Sequence, residues 1–149
     1  MSKMLLLASA TFGLLFSSTV MADCDSGSKK VFSCLTKSGK LIEVCDSGKS
    51  IDYSFGKPNL KPEIVVRSPR SEASTSQWNG VGRYLTYTVN IPNGNTVYGV
   101  FWGSDRLSDK HAIEAGVNVE VDGKLVATVN CAGKNIVQNI EGIDLKAAE

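Results

Sequence analysis

Apolar and polar residues alternate with a period of two along most of the chain between Lys30 and Cys131, and this pattern constrains the fold more than any other feature. Successive side chains of a β-strand point to opposite faces of a sheet, so a half-buried strand alternates in this way. Short segments rich in Gly, Pro, Asn and Asp separate the runs, as turns do. No window shows the period of an amphipathic helix. The sequence therefore predicts an all-β domain.

Eight runs carry the alternation, and we interpret each as a short strand. They are Lys30–Thr36, Leu41–Cys45, Ile51–Phe55, Glu63–Arg67, Arg83–Ile91, Thr96–Trp102, Ala115–Val121 and Leu125–Cys131. Short strands at close spacing predict a single small antiparallel barrel or sandwich, and closure into a barrel would remove exposed edges. The polar segment Ser68–Gly80 is predicted to be a long surface loop. Residues 132–149 are predicted to be a loosely packed C-terminal tail.

The hairpin around Asn93-Gly94 is specific enough to predict a register. A two-residue turn at these positions, where positive φ suits Asn and Gly, sets Val89 opposite Tyr98. Six side chains then share one buried face, and most of the aromatic content of the hairpin lies in the core. They are Leu85, Tyr87, Val89, Tyr98, Val100 and Trp102.

The second hairpin gives conflicting signals. Asp122-Gly123 reads as a two-residue turn, but that turn would put Leu125 on the polar face. A one-residue slip turns a whole strand inside out, so we follow the apolar pattern. It predicts a three-residue connection, Asp122–Lys124, with Val119 opposite Ala127.

The first 22 residues have the features of a secretory signal peptide. Lys3 precedes an apolar run, and Val20-Met21-Ala22 places small residues at the cleavage position. The run contains several Ser, Thr and Gly residues, whereas a spanning helix needs about 20 strongly apolar residues. Met1–Ala22 is therefore predicted to be removed, and no membrane span is predicted. The remaining barrel domain, residues 23–131, is predicted to lie in the periplasm or to be secreted.

All four cysteines, Cys24, Cys34, Cys45 and Cys131, follow the signal peptide. An even number in an exported chain predicts two disulfides, for which three pairings exist. We rank Cys34–Cys131 with Cys24–Cys45 first, because this pairing ties the first strand to the last. On the chain-entropy model, closing a loop of about 97 residues stabilises the fold by about 4 to 5 kcal/mol.

Charge and motifs argue against several functions. Residues 23–149 carry 15 basic and 15 acidic side chains, since Lys3 is the one charged residue of the signal peptide. A neutral surface gives no long-range attraction to nucleic acid, so no nucleic-acid partner is expected. The lone His111 is accompanied by no G-x-S-x-G motif, and no catalytic residue is predicted.

The loop that contains His111 also holds Asp105, Asp109 and Glu114, which are potential calcium ligands. Their spacing does not match a helix-loop-helix calcium site, and nearby basic residues offset their charge. The cysteine spacings include no close pair of the kind that binds zinc. We therefore predict no metal, no cofactor and no enzymatic activity.

Trp78 is a large apolar residue within the polar loop. Such a residue either covers the mouth of the barrel or anchors a partner. As a lid, it would suit a small periplasmic β-barrel that binds an apolar or glycan ligand.

The order VFSC, GVGRY, VFWG and DGKLVATVNC resembles the exported bacterial inhibitors of c-type lysozyme, which are small eight-stranded β-barrel proteins. The resemblance covers Val31 to Cys131 as an ordered pattern. It implies a non-enzymatic binding protein that inhibits a c-type lysozyme or binds another envelope or host protein.

Inhibitors of this family insert a Ser from the first segment and a Lys following the second into the cleft of the enzyme. Here Gly80 and Val81 stand in the first segment, and Ser104, Asp105 and Arg106 follow the second. A cation would then come from another basic residue nearby. The predicted partner-binding residues are Trp78, Arg83, Tyr84, Arg106 and Lys110.

Overall fold

The computed structural model describes residues 23–149, and within them eleven strands form two sheets. The all-β class is confirmed. The predicted signal peptide, Met1–Ala22, lies outside the described residues. In the described part of the chain, no helix is long and apolar enough to span a bilayer.

The first sheet contains five strands in the order β10-β1-β2-β3-β4, and all its pairs are antiparallel. Its strands are β1 (Lys29–Leu35), β2 (Leu41–Asp46), β3 (Ser50–Gly56), β4 (Ile64–Pro69) and β10 (Val137–Gln138). We call it the five-stranded sheet.

The second sheet contains six strands in the order β11-β5-β6-β7-β8-β9, in which only β11 and β5 run parallel. Its strands are β5 (Ser74–Ser76), β6 (Tyr84–Asn93), β7 (Thr96–Asp105), β8 (Ile113–Val121), β9 (Lys124–Asn130) and β11 (Lys146–Ala147). The two sheets do not close into one barrel over residues 23–149, so the predicted eight-stranded barrel is not confirmed.

Side chains from both sheets meet in one core. Tyr53 of β3 and Tyr98 of β7 stack with their ring centroids 4.7 Å apart. Burial of each large apolar side chain contributes about 1.5 to 3 kcal/mol, so this shared layer is the main stabilising term. Its fully buried members include Phe32, Ile42, Val44, Ile51, Val89, Ile91, Val100, Val117 and Ile140.

The hairpin of β6 and β7 has the predicted inner face but a different register. Val89 pairs with Val100 and not with Tyr98, because the turn lies at Gly94-Asn95. The positive φ of this turn, 62°, falls at Gly94, its first central residue, as in type II′ turns. Each residue of β6 therefore pairs with a residue two positions further along β7 than predicted. Because side chains alternate between the two faces, a shift of two positions leaves the same side chains on the inner face. All six predicted side chains still contribute to the core.

The hairpin of β8 and β9 contains both the two-residue turn and the apolar pairing that conflict in the sequence. Asp122 and Gly123 form a two-residue turn with positive φ at both positions, so the predicted three-residue connection is wrong. A bulge beyond the turn then shifts the register, and Val119 pairs with Ala127 as predicted. A β-bulge inserts one extra residue, which restores the apolar pairing that the turn alone would lose.

The segment Ser68–Gly80, predicted to be a loop, is partly a strand. Ser68 and Pro69 are the last two residues of β4, and residues 74–76 form β5, which pairs with β6. Ala73 and Thr75 are buried, and the Thr75 hydroxyl donates a hydrogen bond of 2.8 Å to the Thr88 carbonyl. The sequence did not indicate this strand because its side chains are small and polar. They are held by hydrogen bonds and do not produce the alternation of apolar and polar residues.

Residues 132–149 do not form the loosely packed tail that the sequence predicts. They contribute β10 to one sheet and β11 to the other, and Ile140 is fully buried. The side chain of Gln77 holds the segment between these strands, since it donates to the Ile140 carbonyl at 3.0 Å and accepts from the Gly142 amide at 2.9 Å.

Both disulfides of the first-ranked pairing are present. Cys34–Cys131 joins β1 to the residue after β9, and Cys24–Cys45 joins the N-terminal segment to β2. Beside the first bond, Thr36 forms a bridge with Cys131, and the Ala132 amide donates to the Leu35 carbonyl at 2.7 Å. The two sheets are therefore linked covalently at one edge.

We expect Ile140→Ala to lower the free energy of unfolding by about 2 to 5 kcal/mol, because it leaves a cavity in the core. Val137→Ala, on a side chain that is 42% exposed, is the control from the same segment and should cost much less. Urea denaturation measures both. Equal, small effects would show that residues 132–149 pack loosely in solution.

Candidate functional site

Four of the five predicted partner-binding residues come together at one end of the six-stranded sheet. Tyr84 begins β6 and pairs with Asp105 at the end of β7, so the segment before β6 meets the loop after β7. The Arg106 amide donates to the Arg83 carbonyl at 3.0 Å. We call this surface the docking end and define it by Trp78, Val81, Arg83, Tyr84, Arg106 and Leu107.

Arg106 lies over the indole ring of Trp78. Its guanidinium carbon is 4.5 Å from the ring centroid, and one of its nitrogens donates to the Gly82 carbonyl at 3.4 Å. The indole nitrogen of Trp78 donates to the Val81 carbonyl at 3.0 Å. An exposed cation–π contact contributes about 0.5 to 1 kcal/mol. The stack therefore fixes a positive charge at the surface.

Trp78 itself packs against the hydrophobic core and is half-buried. Its ring also supports Arg106, which is exposed. The indole thus supports a charged group at the surface.

Arg83 and Asp105 form an ion pair that closes the base of the loop. The Arg83 Nε lies 2.8 Å from both carboxylate oxygens, and Nη2 lies 2.6 Å from Oδ2. Hydrogen bonding to Asp105 raises the pKa of Arg83, and hydrogen bonding to Arg83 lowers the pKa of Asp105. Asp105 also accepts from the Leu107 amide at 3.0 Å. Arg83 thus has a structural partner, and Arg106 presents its charge outward.

Lys110 and His111 belong to the exposed loop between β7 and β8. Lys110 is exposed a few residues beyond Arg106. His111 has a φ of 42°, and its carbonyl accepts a hydrogen bond of 3.4 Å from the Ser104 hydroxyl. The backbone of His111 therefore shapes the loop. Asp105, one of the three acids weighed as calcium ligands, is engaged by Arg83.

The segments that carry these groups also expose apolar side chains, and sequence reasoning missed most of them. Val81 is 75% exposed, Leu107 73%, Tyr84 58% and Ile113 53%. Contiguous exposed apolar area marks interaction sites more often than isolated residues do. The available signal was the presence of Val81 and Leu107 in turns, where the alternating pattern assigns no buried position.

A recess lies on the outer face of the five-stranded sheet, beneath the segment that Cys24–Cys45 anchors. It measures about 450 Å³ and contains Glu43, which is 5% exposed. Lys30 lies 3.2 Å from Glu43 and 2.7 Å from Asp23. Loss of hydration raises the pKa of Glu43, and the contact with Lys30 opposes this change.

The recess also holds Cys24, Glu43 and Cys45, whose side-chain ligand atoms lie within 4.8 Å of one another. Both sulfurs belong to the Cys24–Cys45 disulfide and are not thiolates. Because thiolates are the form that binds metal, this cluster serves as a covalent anchor.

The amide proton of Leu107 should report the titration of Asp105 in NMR spectra. Because Arg83 lowers the pKa of Asp105, the hydrogen bond to Leu107 should persist below the usual Asp value of about 3.9 and weaken only at lower pH. In Asp105→Asn, this titration should disappear. A midpoint at or above the usual value would show that the ion pair does not form in solution.

Lys30→Met should lower stability at pH 7 by about 1 to 3 kcal/mol, because it leaves the Glu43 carboxylate buried without its cation. The loss should shrink as the pH falls toward the usual Glu pKa of about 4.3, since protonated Glu43 needs no cation. The double variant Lys30→Met/Glu43→Gln should recover most of the loss. Urea unfolding at pH 7 and pH 4.5 measures this, and a pH-independent loss would contradict it.

No protein-family model, curated protein or solved structure matches the chain.

Proposed function

We propose that this protein is an exported, non-enzymatic binding protein that attaches to a partner protein through the docking end. The observation that carries the proposal is that the stacked Arg106 shares the docking end with three exposed apolar side chains, Val81, Tyr84 and Leu107. Trp, Tyr and Arg dominate the binding energy of protein interfaces, and apolar neighbours exclude water from them. The docking end has this composition.

Rigidity of the scaffold supports the same proposal. Association costs less conformational entropy when the contact residues are already fixed in the free protein. Here the Arg83–Asp105 ion pair closes the loop, and the Trp78 ring holds the guanidinium of Arg106. The docking end is therefore preorganised without a partner.

The environment of the protein is consistent with this role. Two disulfides indicate an oxidising compartment, as found outside the cytoplasm. Together with the signal-peptide pattern of Met1–Ala22, they support export to the periplasm or beyond. A secreted or periplasmic protein of this size meets host and envelope proteins.

The partner we propose is a c-type lysozyme. The sequence pattern resembles inhibitors that direct a cation into a cleft lined with carboxylates, and Arg106 follows Phe101, Trp102 and Gly103 as the cation of that family does. A guanidinium has five N–H donors and binds carboxylates in a bidentate geometry. Arg106 donates one hydrogen bond to the Gly82 carbonyl, which leaves further donors for an acidic cleft.

Inhibition of a purified c-type lysozyme by the exported form tests the proposal directly. We expect inhibition with a Kd of about 1 μM or tighter, and a loss of at least about tenfold in Arg106→Ala. Leu107→Asp should weaken binding similarly, because it replaces an exposed apolar side chain of the docking end with a charge. Turnover of a cell-wall substrate and calorimetric titration measure these changes.

Leu60→Asp is the matched control, since Leu60 is 61% exposed and lies on the outer side of the other sheet. It should bind as well as the unaltered protein. Absence of both inhibition and binding at micromolar excess would remove lysozyme as the partner. Equal loss in Leu60→Asp and Leu107→Asp would remove the docking end as the binding surface.

A further inference from the structure

A groove on the outer face of the six-stranded sheet is separate from most of the docking end. Strands β6, β7 and β8 form its floor, and the loop between β7 and β8 forms one wall. Its volume is about 400 Å³, within the range of small-molecule sites. The lining includes Tyr84, Thr86, Thr88, Phe101, Ser108 and Glu114.

Two aromatic side chains mark the ends of this groove. Tyr84 pairs with Asp105, and Phe101 lies four residues earlier on β7, so the backbone positions of the two aromatic residues are about 13 Å apart along the strands. Gly103 lies between them and is buried. A Cβ atom at Gly103 would lie 3.2 Å from the Thr86 methyl carbon, so this position accepts no side chain without crowding the floor. The groove is therefore long and open between two aromatic walls.

The residues beside Phe101 on this face are small. Thr88 and Gly116 are its partners on the neighbouring strands, and Gly99 and Gly103 flank it on β7. Phe101 remains half-exposed for this reason. An aromatic ring with small neighbours offers a flat apolar surface on which a ring-shaped ligand can stack.

Polar groups of the groove suit a ligand rich in hydroxyls. Thr86, Thr88 and Ser108 each supply a hydroxyl that donates and accepts hydrogen bonds, and the Glu114 carboxylate accepts them. The charged lining residues are Asp105, which Arg83 neutralises, and Glu114. This charge opposes an anionic ligand. The hydroxyl groups of the lining suit a neutral ligand that carries hydroxyls.

From this geometry we infer that the groove binds a neutral oligosaccharide. A sugar ring has an apolar C–H face that stacks on Phe101 or Tyr84, and hydroxyls at its rim that reach the threonines and Glu114. The spacing of these two positions along the strands exceeds the width of one sugar, so the groove accommodates an extended chain. The inference does not depend on the proposed lysozyme partner, because Tyr84 is the one residue of the docking end that lines the groove.

Saturation-transfer NMR with maltotetraose, cellotetraose and chitotetraose as probes tests this inference on the exported protein. We expect binding of at least one probe with a Kd of about 1 mM or tighter, and amide shifts at Thr86, Thr88 and Phe101. Phe101→Trp, which keeps an aromatic platform, should retain binding. Phe101→Leu, which keeps only apolar volume, should lose about tenfold.

Val126→Leu is the control on the same sheet, since Val126 is 59% exposed on β9. It should leave sugar binding unchanged, as should Arg106→Ala. Well-dispersed amide spectra will show that each variant folds. No saturation transfer to any of the three probes, or equal binding by Phe101→Leu and the unaltered protein, would overturn the inference. Loss of lysozyme binding in Arg106→Ala with sugar binding retained would support two separate sites.

Discussion

The arrangement of the two sheets depends on the covalent bond between Cys34 and Cys131, which fixes β1 of the five-stranded sheet to the residue after β9 of the six-stranded sheet. After Cys131 the chain forms β10, which pairs with β1, and then buries Ile140 in the core. It ends in β11, which pairs with β5 at the opposite edge of the six-stranded sheet. One segment thus covers the open side of the core that two unclosed sheets would leave exposed. Residues 132–149 therefore cover a part of the core that strand pairing would cover in a closed barrel.

The same arrangement explains why the candidate site lies at an end of the sheet. The long hairpin of β6 and β7 is fixed by the core along one face, and at its end the segments beyond Tyr84 and Asp105 project away from that core. There the Arg83–Asp105 ion pair and the Arg106–Trp78 stack take over the role that packing has elsewhere. Rigid strands thereby present a few charged and apolar side chains in fixed positions, which suits recognition.

The two hairpins show what alternation predicts and what it leaves open. Alternation identified the inner face of β6 and β7 correctly, because parity survives a shift of each strand by one residue. The turn position was wrong because Asn95 has another role: its carbonyl accepts from the Asp122 amide at 2.9 Å, and its side chain donates to the Asp122 carboxylate. That contact joins two hairpin turns distant in sequence. For β8 and β9, a bulge reconciles signals that looked incompatible.

Side-chain alternation within short segments was enough to predict the all-β class, the eight main strands and the residues of the buried hairpin face. The four cysteines indicated two cross-links. The assembled fold was needed to show that residues 132–149 contribute to the core and that β5 exists. It was also needed to show that Asp105 neutralises Arg83 and that Arg106 stacks on Trp78. Each of these depends on contacts between residues far apart in the chain, and local patterns carry no information about such contacts until the strands have been assembled.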